Sequence, residues 1–248
     1  MRARWIAEKR AEIATLADLR LTELTPSRRD FTQFIAVHKQ GMALVPRVQR
    51  RSPATGGAWP HLDVLAFAHA CDESEAAAIA VSTAALFGGT VDDLDAVAGA
   101  VSAPVLRDDL CLHHQQVYQS RLRGADAVRF PTAELEPAAL RELVAVASSL
   151  HMTSIVEVGD AHMLPVALAL PTVCIGVTAG EGRADSRAVR SLAEQIPRQR
   201  TVVLLDEVAV LDDLLALVGV VDAAVVGDAL LGDPDPAAAI AAFLARVG

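Results

Sequence analysis

The side chains with most chemistry to offer are charges that end or interrupt apolar runs. Glu157 closes the run IVEV, and a carboxylate aimed inward from a buried strand must be paired or protonated. It is therefore an acid/base candidate, together with Asp108; the structural alternative for Glu157 is an ion pair with Arg47, Arg107 or Arg129, Arg47 being its natural partner if both point inward. Arg47 or Arg129 could hold a carboxylate-bearing substrate, with Arg107 a further substrate contact, but a guanidinium is too weak an acid near neutral pH to donate a proton. Gln49, Ser52 and Thr178 add neutral contacts for a substrate. Asp206, Glu207 and Asp228, next to Gly227, could form an acidic rim for an amine or for a divalent cation with oxygen ligands. Ammonium groups are scarce, because the only lysines are Lys9 and Lys39. Neither is expected to reach such a site, since Lys9 falls in a leading helix and Lys39 before the first strand.

Those charges need strands to place them. Val- and Ile-rich runs recur near 43–48, 77–82, 103–107, 126–130, 153–158, 172–177, 201–205 and 222–226. Between them lie Ala/Leu-rich segments with helical periodicity, at 62–71, 94–100, 114–122, 137–150, 186–196 and 208–218. Eight short apolar strands with intervening helices predict a closed parallel (β/α)8 barrel, whose chemistry sits at the carboxyl ends of the strands. Apart from the two lysines, each charge named above falls at such an end, as does Ser82. A doubly wound open sheet is the alternative, although no GxGxxG loop follows the first strand. Before the barrel, residues 4–19 and 31–38 read as helices, giving a helical extension over 1–41 of a single domain spanning 1–248.

Composition agrees with one domain and narrows the partners. With 52% hydrophobic residues but only 4% aromatic ones, the core must be aliphatic. A net charge of −9 gives no general affinity for nucleic acid or an anionic membrane. Cys71, Cys111 and Cys174 are widely spaced and odd in number, so neither a disulfide framework nor a zinc site is expected. The start MRARWIAEKRAEI lacks a signal-peptide core, and the apolar stretch 202–226 carries five acidic residues, which argues against a membrane span. The expectation is a cytoplasmic protein without cofactor or metal, acting on a small-molecule substrate or ligand.

Six stretches, in order, carry a family resemblance: IAEKRAEI, QRRSPATGG, SAPVLRDDL, RGADAVRF, MTSIVEV and VDAAVVGDALLGDPDP. They resemble the leading helix, the Glu-Ile-Lys and Ser-Pro-Ser loop, the PVLRKDF strand, the GADA strand, the LVEVH strand and the GVDA-VGE-L-DP segment of indole-3-glycerol phosphate synthases. That resemblance implies a barrel lyase of the tryptophan pathway, which closes the indole ring on a phosphorylated substrate. It also implies where chemistry has changed. Arg47 and Gln49 stand where the family has Glu and Lys, Asp108 replaces its general-acid lysine, and Thr178 replaces an asparagine. Leu205, Asp206 and Glu207 replace a Glu-Ser-Gly turn; Glu157, Ser52, Pro53 and Gly227 remain.

Ring closure needs a proton donor on the substrate carbonyl, which the missing lysines no longer supply. Glu207 and Asp228 at the phosphate end would each repel a phosphate by about 1 to 4 kcal/mol at contact distance. The sequence thus predicts a divergent enzyme of lyase or cyclase type, working by ring closure, dehydration or decarboxylation on a small non-phosphorylated substrate. Its alternatives are a non-catalytic barrel that binds a ligand or a partner enzyme, and the ordinary synthase.

Overall fold

The computed structural model describes residues 1–38, 41–52, 54–74, 76–171, 174–179 and 184–247. Lys39 and Pro53 lie outside the described residues. The strands are β1 (Ala43–Val48), β2 (Ile79–Val81), β3 (Val105–Leu110), β4 (Ala127–Pro131), β5 (Thr153–Val158), β6 (Cys174–Val177), β7 (Thr201–Leu204) and β8 (Ala223–Val226). They pair in parallel in sequence order, and β8 pairs with β1 to close the barrel. This is the (β/α)8 architecture that the alternation of runs predicts.

Period-2 alternation sets what fills the barrel. Val45, Leu106, Ala127 and Ile155 belong to the inner apolar cluster. Two residues further along the same strands stand Arg47, Asp108, Arg129 and Glu157, all buried. Successive inward positions therefore form layers, and the layer at the carboxyl end is ionic where the one beneath it is apolar. Alternate residues face the outer helices, and this decides Arg107. It points out of the barrel, donating to Thr83 Oγ1 and Gln119 Oε1 and pairing with Glu12 at 2.8 Å. The expectation that Arg107 binds substrate is corrected on that geometry.

The α-helices are α1 (Arg2–Ile13), α2 (Phe31–His38), α3 (Val64–Asp72), α4 (Val91–Ala100), α5 (His114–Leu122), α6 (Pro137–Ser149), α7 (Leu164–Leu168), α8 (Ser186–Ala193), α9 (Asp228–Leu231) and α10 (Pro236–Val247), and several begin where side chains satisfy their free amides. Thr90 and Asp93 form a capping box on α4 (Val91–Ala100), Asp185 caps α8 (Ser186–Ala193), and Asp235 accepts from Ala238 N at the start of α10 (Pro236–Val247). Helix α5 (His114–Leu122) is capped by His113 and followed by Gly124 at φ +85, where a Cβ would stand 2.6 Å from Ala98 Cβ. Two expectations are corrected. The leading helix α1 (Arg2–Ile13) stops well before residue 19, where Thr15 N and Oγ1 both turn back to Glu12 O. The segment expected as a helix over 208–218 is a run of 3-10 turns, Leu211–Leu217. Among the described residues no helix is long and apolar enough to cross a membrane.

Helix α1 lies across the carboxyl ends of β3 and β4 and is held there by polar contacts. Arg2, Trp5, Lys9 and Glu12 recur at helical spacing and make one face. Trp5 Nε1 donates to Asp109 Oδ1 at 2.7 Å, Lys9 Nζ to Asp109 Oδ2 at 2.6 Å, and Glu8 accepts from the amides of Ala85 and Leu86. Lys9, expected to stay clear of the mouth, is not among the residues that line the bowl and is buried against Asp109, 1% exposed. Burial alone would lower its pKa, but Asp109 and Glu12 outweigh that and raise it. Lys9→Met should cost about 3 kcal/mol by leaving Asp109 without its ammonium. Urea unfolding measures this, and a change below about 1 kcal/mol, the scale of an exposed pair, would mean that Lys9 is not a staple.

Candidate active site

A bowl of about 280 Å³ opens at the carboxyl ends of the strands, under the first turns of α1. Its floor is ionic. A continuous chain of ion pairs runs from Glu134 through Arg2, Glu157, Arg129, Asp108 and Arg47 to Glu207. Arg129 sits between Glu157 at 2.7 Å and Asp108 at 2.9 Å; Arg2 reaches Glu157 at 2.9 Å and Glu134 at 2.8 Å. Arg47 contacts Asp108 and Glu207, so the expected pairing of Arg47 with Glu157 is corrected: the partners of Glu157 are Arg129 and Arg2.

The two acid/base candidates are held as anions by this chain. Burial pushes the Glu157 carboxyl up, but Arg129 and Arg2 more than offset it and leave its pKa below the ordinary value. Burial acts on Asp108 in the same direction and is outweighed by Arg47 and Arg129. Groups so held orient a ligand better than they exchange a proton with it at neutral pH.

Asp206 differs. It accepts hydrogen bonds from Thr178 Oγ1 and the Ala179 amide, and among the described residues no cation lies within ion-pair distance of it. Burial is the largest influence on it and outweighs the Ala179 amide, the Thr178 hydroxyl and the more distant Arg129 guanidinium, which lower its pKa, so that the net shift is upward. Asp206, Thr178, Gln49, Arg47 and Glu207 all line the bowl.

The far end of the bowl is closed by its own side chains. Glu207 Oε2 accepts from the amides of Gly227 at 3.2 Å and Asp228 at 3.1 Å. Gln49 Nε2 donates to Glu207 Oε1 at 2.8 Å and to Asp228 Oδ1 at 3.2 Å. Asp228 is further held by Ser52 Oγ at 2.5 Å and Thr55 Oγ1 at 2.8 Å. Gly227 permits this packing, since a Cβ there would stand 2.6 Å from Gln49 Nε2 and 2.8 Å from Glu207 Oε1. Of the acidic residues expected as one rim, Glu207 and Asp228 meet on Gln49 Nε2 while Asp206 turns to Thr178 and Ala179, and among the described residues no three His, Cys, Asp or Glu side chains are arranged to hold a metal ion. Arg50 turns away from the mouth to pair with Asp93 at 2.7 Å.

A profile of indole-3-glycerol phosphate synthase matches residues 1–243. The chain belongs to the indole-3-glycerol phosphate synthase family. The synthase of Mycobacterium ulcerans (strain Agy99) is 34% identical over 211 residues, covering 83% of this chain and 78% of that protein. That of Mycolicibacterium gilvum (strain PYR-GCK) is 33% identical over 238 residues, covering 94% and 87%. In fold the chain is similar to 3-hexulose-6-phosphate synthase, with a TM-score of 0.68 at 17% identity over 84% of this chain and all of that one.

Against the synthase pattern, the replacements at Arg47 and Asp108 become one event. The synthases resembled here carry an acid on the first strand and a lysine on the third; this chain carries the base on β1 and the acid on β3, in contact at 2.5 Å. Sequence reasoning missed Arg2, Trp5 and Glu134 as parts of the bowl. The polar face of α1 carried a signal for the first two, while Glu134, in the loop after β4, offered none.

Proposed function

We propose that this barrel uses the synthase bowl to take a small, non-phosphorylated molecule and does not close the indole ring. The observation that carries this reading is Glu207 on the amides of Gly227 and Asp228. Backbone amides after the seventh and eighth strands are the usual phosphate cradle of such barrels. Here an internal carboxylate, Glu207, occupies them, whereas Asp228 stands where the family segment quoted above also carries an acid. The proton donor is missing as well, because Asp108 replaces the lysine and is held as an anion between two arginines.

Asp206 is the carboxyl of the bowl best suited to exchange a proton, since burial raises its pKa while the arginines lower those of Glu157 and Asp108. Lyase chemistry that expels water would therefore run through Asp206, with Glu157 orienting. The direct test is turnover of carboxyphenylamino-deoxyribulose phosphate. We expect a rate at least on the order of 10²–10⁴ below that of ordinary synthases, the usual loss when a positioned general acid is absent. The family match over residues 1–243 favours a second reading, the ordinary synthase, and turnover at ordinary rates would establish it and remove the first.

A further inference from the structure

We propose that the ligand of the bowl carries a cationic nitrogen, an amine, seated against Asp206, on an apolar body that lies by Phe87 and Leu205. This rests on the reading of the bowl as a small-molecule site and names the ligand class it takes.

The charges of the bowl support an amine over an acid. Three guanidiniums, Arg2, Arg47 and Arg129, and Met1 with its α-amino group line it, against five carboxylates, Asp108, Glu134, Glu157, Asp206 and Glu207, so acids outnumber cations. Each guanidinium already contacts two of those carboxylates. An anionic ligand would have to displace an internal carboxylate and leave it buried without a partner, whereas a cation meets Asp206 as it stands. The expectation of a carboxylate-bearing substrate held by Arg47 or Arg129 loses its support for the same reason.

Two further features shape the place. Ser82 Oγ lines the bowl, is buried, and has no hydrogen-bond partner among the described residues. A buried hydroxyl left without a partner costs free energy that a ligand's polar group would recover. Trp5 is occupied from within, with the Arg2 and Arg129 guanidiniums 5.7 and 5.3 Å from its ring centroid and Phe87 edge-on at 5.0 Å. Its faces are therefore not the place for the cation, and Asp206 is.

A matched series decides the matter: benzylamine, benzyl alcohol and benzoate titrated into the full-length protein by calorimetry, with Asp206→Asn alongside. We expect benzylamine to bind most tightly and benzoate least. Asp206→Asn should weaken benzylamine about tenfold or more, the scale of one charge-assisted hydrogen bond, and leave benzyl alcohol unchanged. Benzoate binding as tightly as benzylamine would overturn the inference while leaving the bowl a small-molecule site. Unchanged benzylamine affinity in Asp206→Asn overturns it too. The wild-type series alone tests the sign of the charge, so the result does not hang on the variant's folding. If none of the three binds and the phosphorylated family substrate turns over, the reading of the bowl fails with it.

Discussion

Arg129→Met should destabilise the fold by about 3 to 5 kcal/mol at neutral pH, the cost of breaking a buried ion pair from one side. Arg129 is the middle link of the chain, with Glu157 and Asp108 as its neighbours, and methionine fills similar volume without charge. Arg2 and Arg47 remain at the outer sides of the two carboxylates, which keeps the loss near the lower end of that range.

The pH dependence gives the loss a signature. In the native chain the folded pKa values of Glu157 and Asp108 lie below their ordinary values. Their contribution is thus fully present above the unfolded carboxylate pKa, about 4, and is lost as pH falls through the lower folded values. Without Arg129, burial is opposed by one guanidinium fewer and both folded pKa values rise. The variant therefore binds protons earlier, and the stability gap between the two proteins narrows as pH falls from neutral into the acid range. Urea unfolding across that range measures it. A gap that is constant with pH, or smaller than about 1 kcal/mol at neutrality, would mean that the ion-pair chain is not what holds this layer.

How much of this was legible depends on what sets each feature. β1 and α5 were readable with their bounds, because an apolar run ended by Arg and Gln, and a helix begun at His113, are local patterns. α4 starts three residues before the first periodic apolar residue, at a Thr90–Asp93 capping box that hydrophobic spacing does not register but the sequence displays. The inward charges were readable as well, since each lies two residues beyond an apolar inward position. Their pairing was not. Which arginine meets which carboxylate depends on the stagger between strands, and the register shift between β3 and β4 changes that stagger at Arg107 and Leu110. α1 was misjudged for another reason. Its contact face is made of Arg2, Trp5, Lys9 and Glu12, so it docks through charges and one indole N–H, whereas periodicity arguments look for an apolar stripe.

The two ends of the bowl are joined through Arg47. At one end Arg47 and Asp108 exchange the signs of the synthase pattern and keep a contact. At the other, Glu207 replaces the glycine of the seventh-strand turn and takes the phosphate's amides while also pairing with Arg47. On the proposed reading, Arg47 thereby links the place where the proton donor is missing to the amides that Glu207 occupies, and a single reversion at either end leaves the other unmatched.

The Glu207→Gly, Asp228→Ser double variant should therefore regain phosphate binding. Glycine at 207 is the family's residue; it frees the amides of Gly227 and Asp228, and serine at 228 removes the second carboxylate. Gln49 Nε2, now bonded to both acids, becomes free to donate to a phosphate oxygen. Arg47 keeps only Asp108 and adds positive potential where Glu207 had cancelled it. Removing like-charge contacts worth about 1 to 4 kcal/mol each, and adding charge-assisted hydrogen bonds of about 1.5 to 3 kcal/mol, predicts at least about a hundredfold gain in affinity. Calorimetry with inorganic phosphate and with indole-3-glycerol phosphate reads the gain against the native chain. Ring-closing activity should not return with it, because Asp108 still stands where the donor is needed. Failure of a folded double variant to bind either anion at millimolar concentration would show that Glu207 and Asp228 are not what excludes phosphate, and recovery of turnover would show that the donor was never lost.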